Sequence, residues 1–184
     1  DKTVAKLNPG LTTLAGGIGD RQVRNCGTIG GSVANNDPAA CYPSAVLALG
    51  GIIHTHKRDI AADEFFTGMF ETVLDDDEII TAVTLPNPLK SAYVKFPNPA
   101  SRYAMVGVFV AKFADRVQVA VTGAGEDGVF RAKDIESALS ENFDAASLDG
   151  VTMSEDGLME DLHASPAYRA HLILEMARRA VAAC

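Results

Sequence analysis

Residues 23–43 read VRNCGTIGGSVANNDPAACYP, and no other stretch of the chain is as informative. Thr28, Ile29, Gly30, Gly31 and Ser32 form a tight run. An Asn35-Asn36-Asp37-Pro38 turn follows, and Pro43 then opens a short apolar segment. Adjacent glycines let backbone amides approach a bound group with no side chain in the way. Successive N–H groups in such a turn make an anion-binding nest, and the neighbouring Thr and Ser hydroxyls can donate to the same oxygens. A nearby helix N-terminus adds partial positive charge. Together these are the donors that a pyrophosphate requires.

Outward from this block, composition narrows the class of protein. The 184 residues suffice for one or two compact units, and 47% are hydrophobic. Mean hydropathy is +0.08, which reads as soluble and globular. The net charge is −8. Such an acid excess lacks the basic footprint for nucleic acid or an anionic membrane. The longest apolar runs, such as Ala104–Ala111, fall well short of the roughly 20 residues a membrane helix needs. No cationic, apolar leader opens the sequence, so a cytoplasmic protein is expected.

Cys26, Cys41 and Cys184 are widely spaced, with no CxxC pair. Three thiols cannot supply a four-Cys cluster, and an odd number makes a poor disulfide framework, so reduced cysteines are expected. His54 and His56 alternate and would share one strand face. No carboxylate or Cys stands near them in sequence to complete a metal site, so they read as a half-exposed edge strand.

The chain opens on a loosely apolar segment over 7–18, a frayed helix leading to a turn at Ala15-Gly16-Gly17. A short helix over 43–49 ends at Gly50-Gly51. Residues 52–56 and the segment near Ile60 suggest a hairpin through Lys57-Arg58, and residues 62–66 a loop or single turn anchored by two phenylalanines. Residues 78–85 read as a strand stopped by Pro86. Pro86 and Pro88 mark a boundary, giving units over 1–88 and 89–184. Beyond it lie three strand-like runs, 92–96, 104–113 and 116–122. Alternation of Val117, Val119 and Val121 with Gln118 and Ala120 predicts a sheet with one buried face. Residues 134–139 begin a helix. Ser165 caps another opened by Pro166, with an apolar stripe of Leu172, Ile173, Met176, Ala180 and Val181.

The glycine block resembles the second flavin-binding motif of the FAD-carrying medium subunits of molybdenum hydroxylases, the family of carbon monoxide dehydrogenase medium subunits and the xanthine dehydrogenase flavin domain. Later segments resemble it in order: Tyr93-Val94-Lys95-Phe96, Ser101 to Val108, Ala120 to Gly125, and SPAYRAHL at 165–172. The resemblance implies an α+β fold. A partial two-subdomain FAD-binding unit with a mixed sheet and helices is followed by a small C-terminal unit of three antiparallel strands packed with helices. Relatives carry an earlier Ala-Gly-Gly flavin motif after a strand. The triplet at 15–17 lacks that strand and reads as a local turn, so the chain is expected to be truncated at its N-terminus and to hold FAD incompletely by itself.

The same resemblance assigns Thr28, Ile29, Gly30, Gly31 and Ser32 to the FAD pyrophosphate and ribityl chain, and brings Asn35 and Asp37 within reach of the cofactor. Asn36 reads better as an Asx turn. Relatives often place aspartate where Cys41 stands. The thiol is a weaker partner, and Cys41 reads either as a cofactor-edge residue or as a small buried apolar one. Ile80 reads equally as a cofactor contact or a strand core residue. Lys95 matches a lysine that approaches the flavin ring, against a solvated strand lysine. Arg102 stands in for an arginine that relatives carry where this chain has Pro99. Tyr168 and Arg169 read as packing for the last helix. No side chain is assigned as acid, base, nucleophile or metal ligand. The implied function is an electron-transfer subunit, with an iron–sulfur small subunit and a molybdopterin large subunit as partners. A docking module without flavin and a standalone flavin oxidoreductase are the alternatives.

Overall fold

The computed structural model describes residues 1–184. Five short helices come first: α1 Lys2–Leu7, α2 Pro9–Gly16, α3 Arg21–Cys26, α4 Ile29–Asn35 and α5 Tyr42–Ala48. Strands β1 Ile52–Thr55 and β2 Asp59–Ala61, the single turn α6 Ala62–Phe65, and strands β3 Phe66–Gly68, β4 Glu71–Thr72 and β5 Ile80–Thr84 follow. Then come β6 Lys90–Pro97, β7 Ala104–Lys112, β8 Val117–Gly125 and β9 Gly128–Arg131. Helix α7 Lys133–Glu141, a 3-10 turn over Ala145–Leu148 and α8 Pro166–Ala182 complete the chain.

Local chemistry explains most boundaries. Asp1, Asn8, Asp20, Thr28 and Ser165 each cap a helix by accepting from a backbone amide of its first turn. Pro9 and Pro166 occupy first-turn positions where no amide is missed. Gly50, at φ +60°, supplies the left-handed residue just past α5.

Two expectations are corrected. The first sheet, ordered β2-β1-β5, is antiparallel throughout rather than mixed. Strand β1 is its centre, not an edge. His54 therefore has neighbours on both sides, with Nδ1 2.7 Å from Asp59 Oδ1 and Nε2 2.7 Å from Thr84 Oγ1. The hairpin brings in Asp59 from five residues away, and pairing with β5 brings in Thr84 from thirty residues away.

The second sheet has four strands, ordered β6-β7-β8-β9, where three were expected. Strand β9 is short and half-buried, too weak a pattern to declare itself. This sheet is also covered on both faces. Val106, Val108, Val110, Val119 and Val121 pack under α7 and α8 with Ile135, Leu139, Ile173 and Met176. From the opposite face Tyr93, Phe109, Ala111 and Ala120 share a core with Leu14, Val33, Val46, Leu49 and Phe65. Alternation thus survives on β8, but Gln118, Ala120 and Thr122 are buried too. A sheet roofed twice hides the polar–apolar signal on which a one-faced reading depends.

Arg169, 2% exposed, braces the second sheet from inside. Its guanidinium donates to the carbonyls of Met105, Gly123 and Met159 and pairs with Asp161 at 2.7 Å. Burial works against the Asp161 charge. The amides of His163 and Ala164 and the Arg169 guanidinium outweigh it and hold the carboxyl below its ordinary range.

Candidate cofactor site

A cleft of about 780 Å³ opens where α2, α3, α4, the N-terminus of α5 and the β6–β7 connection meet. Its size falls within the range typical of small-molecule sites, roughly 300–1,000 Å³. The glycine block forms one wall, in a conformation the sequence did not indicate. No positive-φ nest occurs at Gly30-Gly31. Both residues lie in the first turn of α4, and Thr28 Oγ1 accepts from the Gly31 amide at 2.9 Å. The anion-attracting feature is therefore a helix start, whose first amides have no partner within the helix.

Helix geometry then selects which block residues face the cleft. Thr28, Gly31, Ser32 and Asn35 line it, and these positions follow the i, i+3, i+4, i+7 stripe of one helix face. The structure does not bring Ile29, Gly30 and Ile80 to that wall. Ile29 points to solvent at 37% exposure. Gly30 turns toward the Ile80 side chain, which packs on the core under α4. Neighbours on a helix step by about 100°, so residues 28–32 do not all face one wall.

Asp37, Cys41 and Lys95 complete the expected set at the cleft. Asp37 Oδ1 accepts from the Ala39 amide at 2.8 Å, shaping the loop into α5. Asn36 is no Asx turn. It sits at φ +43° past the end of α4, fully buried, and donates to the carbonyls of Gly68 and Glu71. Cys41 is 6% exposed and packs with the apolar core, and it also lines the cleft. Lys95 Nζ donates to the carbonyls of Gly17 at 2.6 Å and Arg102 at 3.1 Å, and lies 3.9 Å from Cys41 Sγ. It is tethered across the cleft rather than free in solvent. The Tyr42 hydroxyl, also at the cleft, is pushed up in pKa by burial and then by the neighbouring Cys41.

Sequence reasoning missed Arg24, Val23, Ile18 and Tyr103, all on the cleft. Arg24 donates to the Ile18 carbonyl at 2.7 Å, closing the turn between α2 and α3. Arg102 takes φ +64°, and its backbone N–H donates a hydrogen bond to the Asn98 carbonyl at 2.8 Å. The one signal for this group was its cationic character in an acidic chain. Arg24, Lys95 and Arg102 face the cleft with Asp37 as its single carboxylate. The charge there is opposite to that of the whole, as a polyanionic ligand would require.

Residues 1–88 match the family described as FAD binding domain in molybdopterin dehydrogenase. The chain is 34% identical to the nicotine 6-hydroxylase medium subunit of Paenarthrobacter nicotinovorans, over 97% of its own length and 68% of that protein's. It is 35% identical to the glyceraldehyde dehydrogenase medium chain of Sulfolobus acidocaldarius, over 65% of its length and 46% of that one's. Its structure superposes on a chain of the reconstituted CO dehydrogenase from Oligotropha carboxidovorans with a TM-score of 0.86 and 25% identity, covering 99% of this chain and 69% of the other. The fold is that of an FAD-binding component. The chain belongs to the FAD-binding medium-subunit family of molybdopterin dehydrogenases.

Proposed function

We propose that this chain holds FAD and passes electrons through it as the medium component of a molybdenum-containing hydroxylase, beside an iron–sulfur subunit and a molybdopterin subunit. The observation that carries the reading is the cleft: a Thr28-capped helix start and three cationic side chains converge there in a chain of net charge −8. FAD would supply the exchange between single-electron and paired-electron transfer. The residues present fit that group. Thr28, Gly31 and Ser32 would hold pyrophosphate oxygens. Asn35, Asp37 and Cys41 would line the hydroxyl-bearing chain. Lys95 and Arg102 would lower the cost of negative charge at the ring. Ile29, Gly30 and Ile80 would act from behind this wall, by setting the path of α4 and the floor it rests on. Residues 1–88 would then form the FAD-binding unit and 89–184 the C-terminal unit that carries Lys95.

Chemistry on the substrate belongs to another subunit in this reading, so no side chain of this chain serves as acid, base or nucleophile. No helix is long and apolar enough to cross a membrane. The three cysteines are free, which suits a reducing compartment such as the cytoplasm.

Titrating the purified chain with FAD tests the reading. The expected result is saturable but weak binding, with sub-stoichiometric flavin retained through gel filtration. Gly31→Val should weaken that binding at least about tenfold, a loss of roughly 1.4 kcal/mol. A Cβ at position 31 would stand 2.9 Å from Thr28 Oγ1 and displace the cap. No saturable binding, or an unaffected variant, would remove the assignment.

A further inference from the structure

Tyr93 is 5% exposed, and its hydroxyl is a buried polar atom with no hydrogen-bond partner. It sits directly over Gly107, where even a Cβ would stand 2.4 Å from the oxygen. An orphaned hydroxyl at such a position has given up water and gained no partner in exchange. Beside it is the Cys41 thiol, whose charge and hydrogen-bonding contact raise the Tyr93 pKa after burial itself, yet the hydroxyl makes no well-formed bond there. On the cleft side of the same sulfur lies Lys95 Nζ, at 3.9 Å. One sulfur atom is thus flanked by a phenolic O–H without an acceptor and by an ammonium group. Sulfur is a weak acceptor and satisfies neither well. An oxygen carried by that sulfur would satisfy both.

We propose that Cys41 is a site of reversible oxidation by hydrogen peroxide, at which Tyr93 and Lys95 hold the resulting sulfenic acid. The thiol sulfur attacks one peroxide oxygen. An S–O bond forms and the O–O bond breaks. The departing hydroxide takes the thiol proton and leaves as water, so sulfur loses one electron pair and peroxide gains it. The cleft gives a small oxidant its path, since Cys41 lines it while being closed off on every other side. Tyr93 then donates its O–H to the sulfenic oxygen, and Lys95 turns from the Gly17 and Arg102 carbonyls toward it. Such donors favour the first oxidation step, and the enclosing wall disfavours the second. The other two cysteines have no such surroundings. Cys26 is exposed, and Cys184 is pushed up in pKa to about 11 by its partial burial. The oxidation belongs to the flavin-free chain, because FAD lying along Cys41 as proposed above would close the path of peroxide.

A chain with Cys26→Ser and Cys184→Ser, leaving Cys41 as the one thiol, tests this. It is treated with hydrogen peroxide in the presence of dimedone and read by peptide mass mapping. The expected result is a dimedone adduct on Cys41, together with loss of labelling when dithiothreitol precedes the dimedone. Tyr93→Phe and, separately, Lys95→Met should each lower the adduct yield severalfold and shift the product to sulfinic acid, with circular dichroism and melting showing the fold intact. Two results would overturn the proposal. One is absence of the adduct on folded chain when urea-unfolded chain gives it. The other is undiminished labelling in a folded Lys95→Met protein, which decides the matter even where Tyr93→Phe fails to fold.

Discussion

The two faces of the four-stranded sheet are both buried, but by different means. Under α7 and α8 the contact is mostly apolar, valines against isoleucine, leucine and methionine, with Arg169 and Glu136 as its buried charges. On the opposite face the apolar core stops at a polar seam. Thr122 Oγ1 lies 2.8 and 2.6 Å from the carbonyls of Pro38 and Ala40. The Gly123 amide also donates to Pro38, at 2.7 Å. At the far end Ser91 Oγ donates to Asn8 Oδ1 and accepts from the Gly10 amide. Apolar packing is non-directional and supplies stability, whereas hydrogen bonds to loop carbonyls fix position. The cleft lies beside the second kind of contact, because a binding wall needs its loops held in register more than it needs them deeply buried.

If that division holds, substitutions on the helix-covered face should cost more stability and less binding than those on the seam. Arg169→Met should have the largest effect, a loss of about 3–5 kcal/mol by urea denaturation, since buried carbonyls of Met105 and Gly123 lose their donor. Next, Ile173→Ala empties a fully buried position beneath α8 and should cost about 2–5 kcal/mol, with FAD uptake by the folded protein unchanged. Thr122→Val keeps the shape and leaves two loop carbonyls without its hydroxyl. It should cost only about 1–3 kcal/mol, yet weaken FAD uptake by letting the 37–41 loop drift. A Thr122→Val protein less stable than Ile173→Ala, with normal FAD uptake, would break the comparison.

The smallest effect belongs to a region outside both faces. The Glu78 side chain is wholly enclosed and ion-paired with Arg58 at 3.0 Å. Its hydrogen bonds from Arg58 and Thr55 pull its pKa from 4.5 down to about 2. A lowered folded-state value stabilises fully above the ordinary 4.5, and that stabilisation disappears as pH falls toward 2. Glu78→Gln should lower the melting temperature slightly at neutral pH. It should also flatten the acid limb of the stability profile between those two values.

The periodic elements were legible before any coordinates. Ser165-Pro166 and the stripe Leu172, Ile173, Met176, Ala180, Val181 specify α8, because capping and a 3.6-residue period are local properties. The alternating valines of β8 and the hairpin through Lys57-Arg58 were likewise written in the chain. The block at 28–32 drew attention to the stretch from which Thr28, Gly31 and Ser32 line the cleft.

Tertiary structure alone decided the rest. Whether Gly30-Gly31 made a nest or a helix start depended on α4 docking against β5, and the helical turn then sent Ile29 and Gly30 away from the cleft. Arg24, Lys95 and Arg102 are separated by up to 78 residues, as is Lys95 from the Gly17 carbonyl it binds. No spacing rule joins them. Sequence determines what each short segment prefers, because propensities act over a few residues. Which faces meet, and therefore which charges share a cleft, is set by burying two unlike surfaces against one sheet.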